Sequence, residues 1–134
     1  MAKYKKKHDA DIRCPLEYGL TIFGGKSGEY PQKLYKALMN SQTVLTVWDD
    51  ARLVGLIRVL DDSEMLAQIH YVLVHPEYQG QGIAGRMVEY IKEKYKNFMY
   101  LELMPEDKNN VPFYEKHGFH VMENGAAMQI CNIN

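Results

Sequence analysis

The chain has 134 residues, of which 46% are hydrophobic and 25% charged, with a formal net charge of −1. That length fits a single domain, 1–134, with a real core, and the near-neutral charge gives no electrostatic case for nucleic acid as a partner. No apolar run approaches the roughly 18 residues of a membrane span and no signal peptide opens the chain, so a cytoplasmic protein without a membrane partner is expected.

Residues 1–15 read as an irregular tail, with Lys3-Tyr4-Lys5-Lys6-Lys7 as a solvated basic end. Leu16 to Phe23 alternates Leu16, Tyr18, Leu20 and Ile22 on one face and predicts a strand. The loop Gly24-Gly25-Lys26-Ser27-Gly28 has a superficial likeness to a nucleotide-binding P-loop. Its glycine spacing is wrong and no helix follows before Pro31, so that reading is rejected. Pro31 to Met39 predicts a short helix with proline in its first turn. Thr43 to Trp48 and Arg52 to Leu60 predict a hairpin turned at Asp49-Asp50. Met65 to Val74 predicts the next strand.

A helix follows from about Gly82 to Lys96. Ile83, Met87, Ile91 and Tyr95 recur on one face, and the charged residues mostly take the other. Phe98 to Met104 predicts a strand stopped by Pro105. A short helix capped by Asn109 or Asn110 runs to His117 and ends at Gly118. Phe119 to Val121 and Ala127 to Cys131 predict terminal strands around Asn124-Gly125. Together these elements predict one α/β layer fold, a mixed and mainly antiparallel sheet flanked by helices. The two cysteines, Cys14 and Cys131, are too few and too far apart for a disulfide framework, and no metal site is expected.

The segment with the most chemistry in it is Val72-Leu73-Val74-His75-Pro76-Glu77-Tyr78-Gln79-Gly80-Gln81-Gly82-Ile83-Ala84-Gly85. It is a hydrophobic strand, a short turn and a glycine-rich loop opening into a helix. A helix start offers unpaired N–H groups and the positive end of the helix dipole, and glycines let a phosphate come close. Gly80-Gln81-Gly82-Ile83-Ala84-Gly85 also fits G-x-G-x-x-G, the dinucleotide fingerprint, and Glu102 falls about 20 residues downstream as that fingerprint asks. An NAD-binding oxidoreductase is nevertheless a remote alternative. The loop lies past the midpoint of the chain, only about one βα unit can follow it, and a turn separates the strand from the glycines.

The same residues spell Gln79-x-x-Gly82-x-Ala84, which resembles the Q/R-x-x-G-x-G/A signature of the GNAT family of N-acetyltransferases. Downstream, Phe113-Tyr114-Glu115-Lys116-His117-Gly118-Phe119 resembles that family's closing F-Y-x-K-x-G-F motif. Two motifs in the right order, about 30 residues apart, are far more specific than either alone. The resemblance spans roughly residues 43–123 and looks closest to small bacterial members.

It implies a fold in which two parallel strands splay apart to admit the pantetheine arm of acetyl-CoA, the co-substrate. It implies that the N–H groups of Gly80, Gln81, Gly82, Ile83, Ala84 and Gly85 take the pyrophosphate, after Gln79. Leu73 and Val74, flanked by Val72, would pair with the arm as a strand edge does and offer an N–H to the oxyanion. Tyr114 would protonate the departing thiolate, a modestly uphill transfer from a phenol near pKa 10 to a thiol near 8.5. Asn110, one turn earlier, would hydrogen-bond the arm.

The acceptor amine must lose a proton before attack. His70, which the alternation puts on the face of Val72 and Val74, Glu102 on the neighbouring strand, and Tyr71 are the candidate bases. No cysteine lies in a motif, so acetyl is expected to pass directly to a primary amine, of a small molecule or a protein. A non-catalytic acyl-CoA sensor is the alternative, and a homodimer is the symmetric default. The acceptor region is expected in Phe23 to Met39, Asp61 to Met65 and Pro105 to Asn109.

Overall fold

A computed structural model describes residues 2–6 and 29–133. The expected strand Leu16 to Phe23, the Gly24–Gly28 loop and Cys14 lie outside the described residues. The chain divides into two compact units, Met1–Leu103 and Met104–Asn134.

The first unit holds a five-stranded sheet in the order β1-β2-β3-β4-β5. The strands are β1 (Lys3–Lys6), β2 (Thr43–Asp49), β3 (Arg52–Asp61), β4 (Leu66–Val74) and β5 (Tyr100–Leu103), with helix α1 (Pro31–Met39) before β2 and helix α2 (Ile83–Lys94) between β4 and β5. Neighbouring strands are antiparallel except β4 and β5, which are parallel. One parallel pair in an otherwise antiparallel sheet is the mixed architecture expected from the element order, and it is unlike the parallel sheet a dinucleotide fold needs.

The N-terminal expectation needs correction. Lys3–Lys6 is a strand, pairing antiparallel with β2 from Lys3 opposite Trp48 to Lys6 opposite Leu45. The polar composition hid this. β2 is buried from Thr43 to Trp48, so its backbone groups need partners on both edges. Lysine stems can lie along that edge with their ammonium groups in water: Lys5 Nζ stands 5.5 Å from the centre of the Trp48 ring, and its carbonyl accepts from Thr46 Oγ1 at 3.0 Å.

Helix α1 begins with Pro31 and buries Leu34 and Leu38, one turn apart. These two close over Val44, Trp48, Leu53 and Leu56, with Tyr35, Met39, Tyr71 and Leu73 partly buried against the same cluster. Helix α2 buries Ile83, Met87, Val88 and Ile91. It comes so close to the sheet that a Cβ on Gly55 would stand 3.1 Å from both Ile83 Cγ2 and Val47 Cβ. Glycine is needed there for space. Beyond α2, the buried Tyr95 hydroxyl donates to Asp61 at 2.6 Å and meets Thr43 Oγ1 at 2.7 Å. Burial pushes this phenol up to about 12, and the hydrogen bond to Asp61 adds to the shift.

Two features of β4 position the candidate site. Its pairing with β5 runs only from Leu66–Tyr100 to Ile69–Leu103, so the strand from His70 to Val74 has no β5 neighbour. Its pairing with β3 shifts register between Arg58 and Val59: Arg58 faces Tyr71 while Val59 faces Ile69, leaving His70 as the extra residue of a bulge.

The second unit contains a 3-10 turn at Lys108–Asn110 and helix α3 (Val111–Lys116). The expected cap is corrected here. Asp107 caps the turn, accepting from the Asn109 N–H at 2.9 Å, and Asn110 makes no capping bond with its side chain. Gly118 takes φ 92°, and the Phe119 N–H returns to the Tyr114 carbonyl at 3.1 Å, closing the helix where glycine was expected to. The expected terminal strands are absent among the described residues. A turn at Glu123-Asn124 is closed by the Gly125 N–H donating to Met122 O at 3.1 Å, one residue earlier than Asn124-Gly125. Alternation alone makes no strand, because a strand needs a partner edge.

Candidate active site

The glycine loop is delivered by a short rigid entry. His75 ends the pairing of β4 by donating its N–H to Val54 O at 2.8 Å. Pro76 opens a 3-10 turn over Pro76–Tyr78, capped by His75 Nδ1, which accepts from the Glu77 N–H at 3.1 Å. The β2–β3 hairpin grips this turn from the side. The Tyr78 hydroxyl donates to the Asp49 carboxylate. Arg52 pairs with Glu77 at 2.9 Å and lies over the Tyr78 ring at 5.6 Å. His75 is buried, which fits its role in the turn. Gln79 then turns back, donating Nε2 to Val74 O at 3.2 Å.

Gly80 and Gly82 follow at φ 81° and 82°, with nothing within 4 Å of an added Cβ on either. The left-handed backbone requires glycine here, while the space beside both is open. Gly82 is the N-cap of α2, and no side chain caps that helix. The N–H groups of Ile83, Ala84 and Gly85 therefore point out of the helix start without an intrahelical acceptor. An uncapped helix start behind two left-handed glycines, open to solvent, fits a diphosphate in shape and in charge.

The strand leading to this loop offers the second half of the site. Among the described residues, Val72, Leu73 and Val74 are half-buried and unpaired on the β5 side, an edge on which an extended amide-bearing chain can pair.

The bulge changes where His70 points. By simple alternation His70 shares a face with Val72 and Val74, and this is corrected. His70 and Tyr71 are consecutive, yet their ring centres are 4.4 Å apart, so both lie on one side of the sheet. Leu73 joins Tyr71 against the core under α1, which leaves Val72 and Val74 on the opposite face. Glu102 pairs with Gln68, and Gln68 and His70 are alternate exposed residues of β4. Glu102, Gln68 and His70 thus share the face that carries Tyr71.

Arg58 lies on this face as well. Its Nε donates to Ser41 Oγ at 2.8 Å, its Nη1 lies 2.7 Å from His70 Nδ1, and its guanidinium covers the Tyr71 ring at 5.8 Å. A guanidinium only donates, so His70 Nδ1 accepts, and in the neutral ring the proton sits on Nε2. Arg58, Arg52, Asp49 and Tyr78 are site residues that sequence reading missed. Arg58 had a signal, as the lone charge inside the apolar run Leu53-Val54-Gly55-Leu56-Ile57-Arg58-Val59-Leu60.

Tyr114 and Asn110 belong to the second unit. Tyr114 stands on α3 between Phe113 and Phe119, with ring centres at 5.0 and 6.0 Å. Burial raises its hydroxyl above the ordinary phenol range, so it keeps its proton at neutral pH. No cluster of three potential metal ligands occurs among the described residues, and no helix among them is long and apolar enough to cross a membrane.

Comparison with known proteins points to one group. Residues 16–119 match the model of the acetyltransferase (GNAT) family. An uncharacterised N-acetyltransferase in the lysA 3' region of Bacillus methanolicus is 34% identical over 117 residues, covering 87% of this chain and 92% of that protein. An uncharacterised ycf52-like N-acetyltransferase of Prochlorococcus marinus is 28% identical over 99 residues, covering 70% of this chain. The match spans only 55% of the Prochlorococcus protein's own length. A GNAT family acetyltransferase of Streptococcus pneumoniae has the same fold, with a TM-score of 0.77 over 100% of this chain and 98% of its own, at 24% identity.

Proposed function

The chain belongs to the GNAT family of acetyltransferases, and from that premise we propose that it is an N-acetyltransferase moving acetyl from acetyl-CoA directly to a primary amine. The observation that carries this reading is the pairing of an open, uncapped glycine turn, Gly80–Gly85, with the bare edge of β4 that runs into it. One suits a diphosphate and the other an amide-bearing arm.

Acetyl-CoA supplies the acetyl thioester. The N–H groups of Gly80 to Gly85 hold the pyrophosphate, with the α2 dipole behind them. Backbone groups of Val72, Leu73 and Val74 align the arm, and an N–H of that edge donates to the thioester oxygen as negative charge develops on it. Asn110 adds a side-chain hydrogen bond to the arm. Glu102 takes the proton from the acceptor ammonium, directly or through water. His70 instead serves as a polar wall, since its Nδ1 accepts from Arg58. Tyr114 gives its proton to the departing thiolate. Its part rests on the motif Phe113 to Phe119; burial keeps the hydroxyl protonated and makes the transfer to the thiolate more uphill.

The test is CoA release from acetyl-CoA across a panel of amines, with Tyr114→Phe alongside. Turnover sharply reduced in the variant is the expected result. Stabilisation by acetyl-CoA without turnover on any small-molecule or peptide amine would favour an acyl-CoA sensor. No stabilisation by acetyl-CoA would overturn the proposal, because a ligand that binds the folded state raises its melting temperature by mass action.

A further inference from the structure

We infer that the acceptor is a primary amine that also carries an anionic group, and that Arg58 holds that group while Glu102 receives the amine. This rests on the acetyltransferase reading and narrows it to a substrate class.

The Arg58 guanidinium has five N–H groups. The Nε proton goes to Ser41 and one Nη1 proton to His70; the rest of the group lies flat over Tyr71. None of these partners is a carboxylate, and Arg58 makes no ion pair with one among the described residues. Half-burial lowers its affinity for a proton, yet the group stays charged at neutral pH. A charge taken partly out of water without a counter-charge is costly. The free side of its planar fork suits a carboxylate or a phosphate oxygen pair.

Position supports the same conclusion. Arg58 stands opposite Tyr71, just past the point where the pairing of β4 with β5 ends. Glu102 lies on the same face, paired with Gln68 on the other side of β4. β3 and β5 are two strand spacings apart, about 10 Å, and Arg58 lies two residues along β3 from the row of Gln68 and Glu102, about 7 Å more along the strand; the long arginine side chain shortens that gap between head groups. A small zwitterion spans it, with its ammonium toward Glu102 and its anion toward Arg58. A polyamine or aminoglycoside, positive throughout, would meet the guanidinium as a like charge.

The experiment sets matched acceptors against one another in the CoA-release assay. Phenylalanine is compared with phenethylamine, leucine with isoamylamine, and phosphoethanolamine with ethanolamine; the first two pairs test a carboxylate and the third a phosphate. Wild type is expected to favour the anionic member of at least one pair by about tenfold or more in kcat/KM, as a charge-assisted contact provides. In Arg58→Gln that ratio falls to about one, and Arg58→Lys, which keeps the charge but not the fork, falls between. Acetyl-CoA-induced stabilisation of each variant checks that it is folded.

Turnover with equal or better use of the uncharged-tail amines overturns this inference and leaves the acetyltransferase standing. So does a preference that survives intact in a folded Arg58→Gln. Stabilisation by acetyl-CoA with no turnover of any of the six compounds also overturns it. Failure to bind acetyl-CoA overturns the proposed function itself.

Discussion

Arg58 Nη1 lies 2.7 Å from Nδ1 of His70, a contact that bears on the choice among the candidate bases His70, Glu102 and Tyr71. The imidazole lone pair nearest the bulge is already accepting. If Glu102 is the base, Glu102→Gln lowers kcat by about 10²–10⁴-fold, the range of a general base. His70→Asn, which keeps an acceptor for Arg58, stays within a few-fold of wild type. A pH–rate profile checks this: the limb that reports deprotonation of the base disappears in Glu102→Gln and persists in His70→Asn.

Gly82 sits at φ 82° beside open space, so the cost of a side chain there is backbone strain and obstruction of the anion. Gly82→Val is expected to cost about 1–3 kcal/mol of stability. It also raises KM for acetyl-CoA far more than KM for the amine. Melting curves with and without acetyl-CoA separate the effects: the ligand-induced rise shrinks by more than the loss in the free protein explains.

The hairpin grip on the loop entry makes a different prediction. Asp49 and Tyr78 are joined by a hydrogen bond that holds the 3-10 turn ahead of the glycines. Tyr78→Phe and Asp49→Ala each lose about 1 kcal/mol and weaken acetyl-CoA binding several-fold with kcat little changed. The double variant is no worse than either single one, since both remove the same bond. Additive losses in stability and KM would mean that the two residues act separately.

Tyr95 predicts a pH dependence of stability. Its folded pKa, about 12, lies above its ordinary value of 10.0. The fold therefore favours the protonated phenol. Its contribution is fully present below pH 10 and is lost as pH rises through about 12. Urea midpoints of wild type and Tyr95→Phe should differ most near pH 9 and converge toward pH 12. A difference that held constant over that range would mean that ring packing, rather than the bonds to Asp61 and Thr43, stabilises the site.

What could be read from the chain alone was whatever depends on near neighbours. Pro31 and the pair Leu34 and Leu38 define α1, and Ile83, Met87 and Ile91 define the buried face of α2, because a helix closes its hydrogen bonds within a few residues. Gly80 and Gly82 marked a glycine-rich turn into that helix start for the same reason, and the motif around Tyr114 carried the family resemblance. Tertiary structure alone decided what rests on register and on distant partners. Lys3–Lys6 is a strand because β2 has an edge to fill. His70 turns to the face of Tyr71 because β3 and β4 slip by one residue at Arg58, and a one-residue slip moves a side chain across the sheet. Asp49 meets Tyr78, and Arg58 meets Ser41, only once the hairpin and the first helix have docked. No local pattern encodes such pairings, since their free energy comes from burying surfaces that are far apart in the chain.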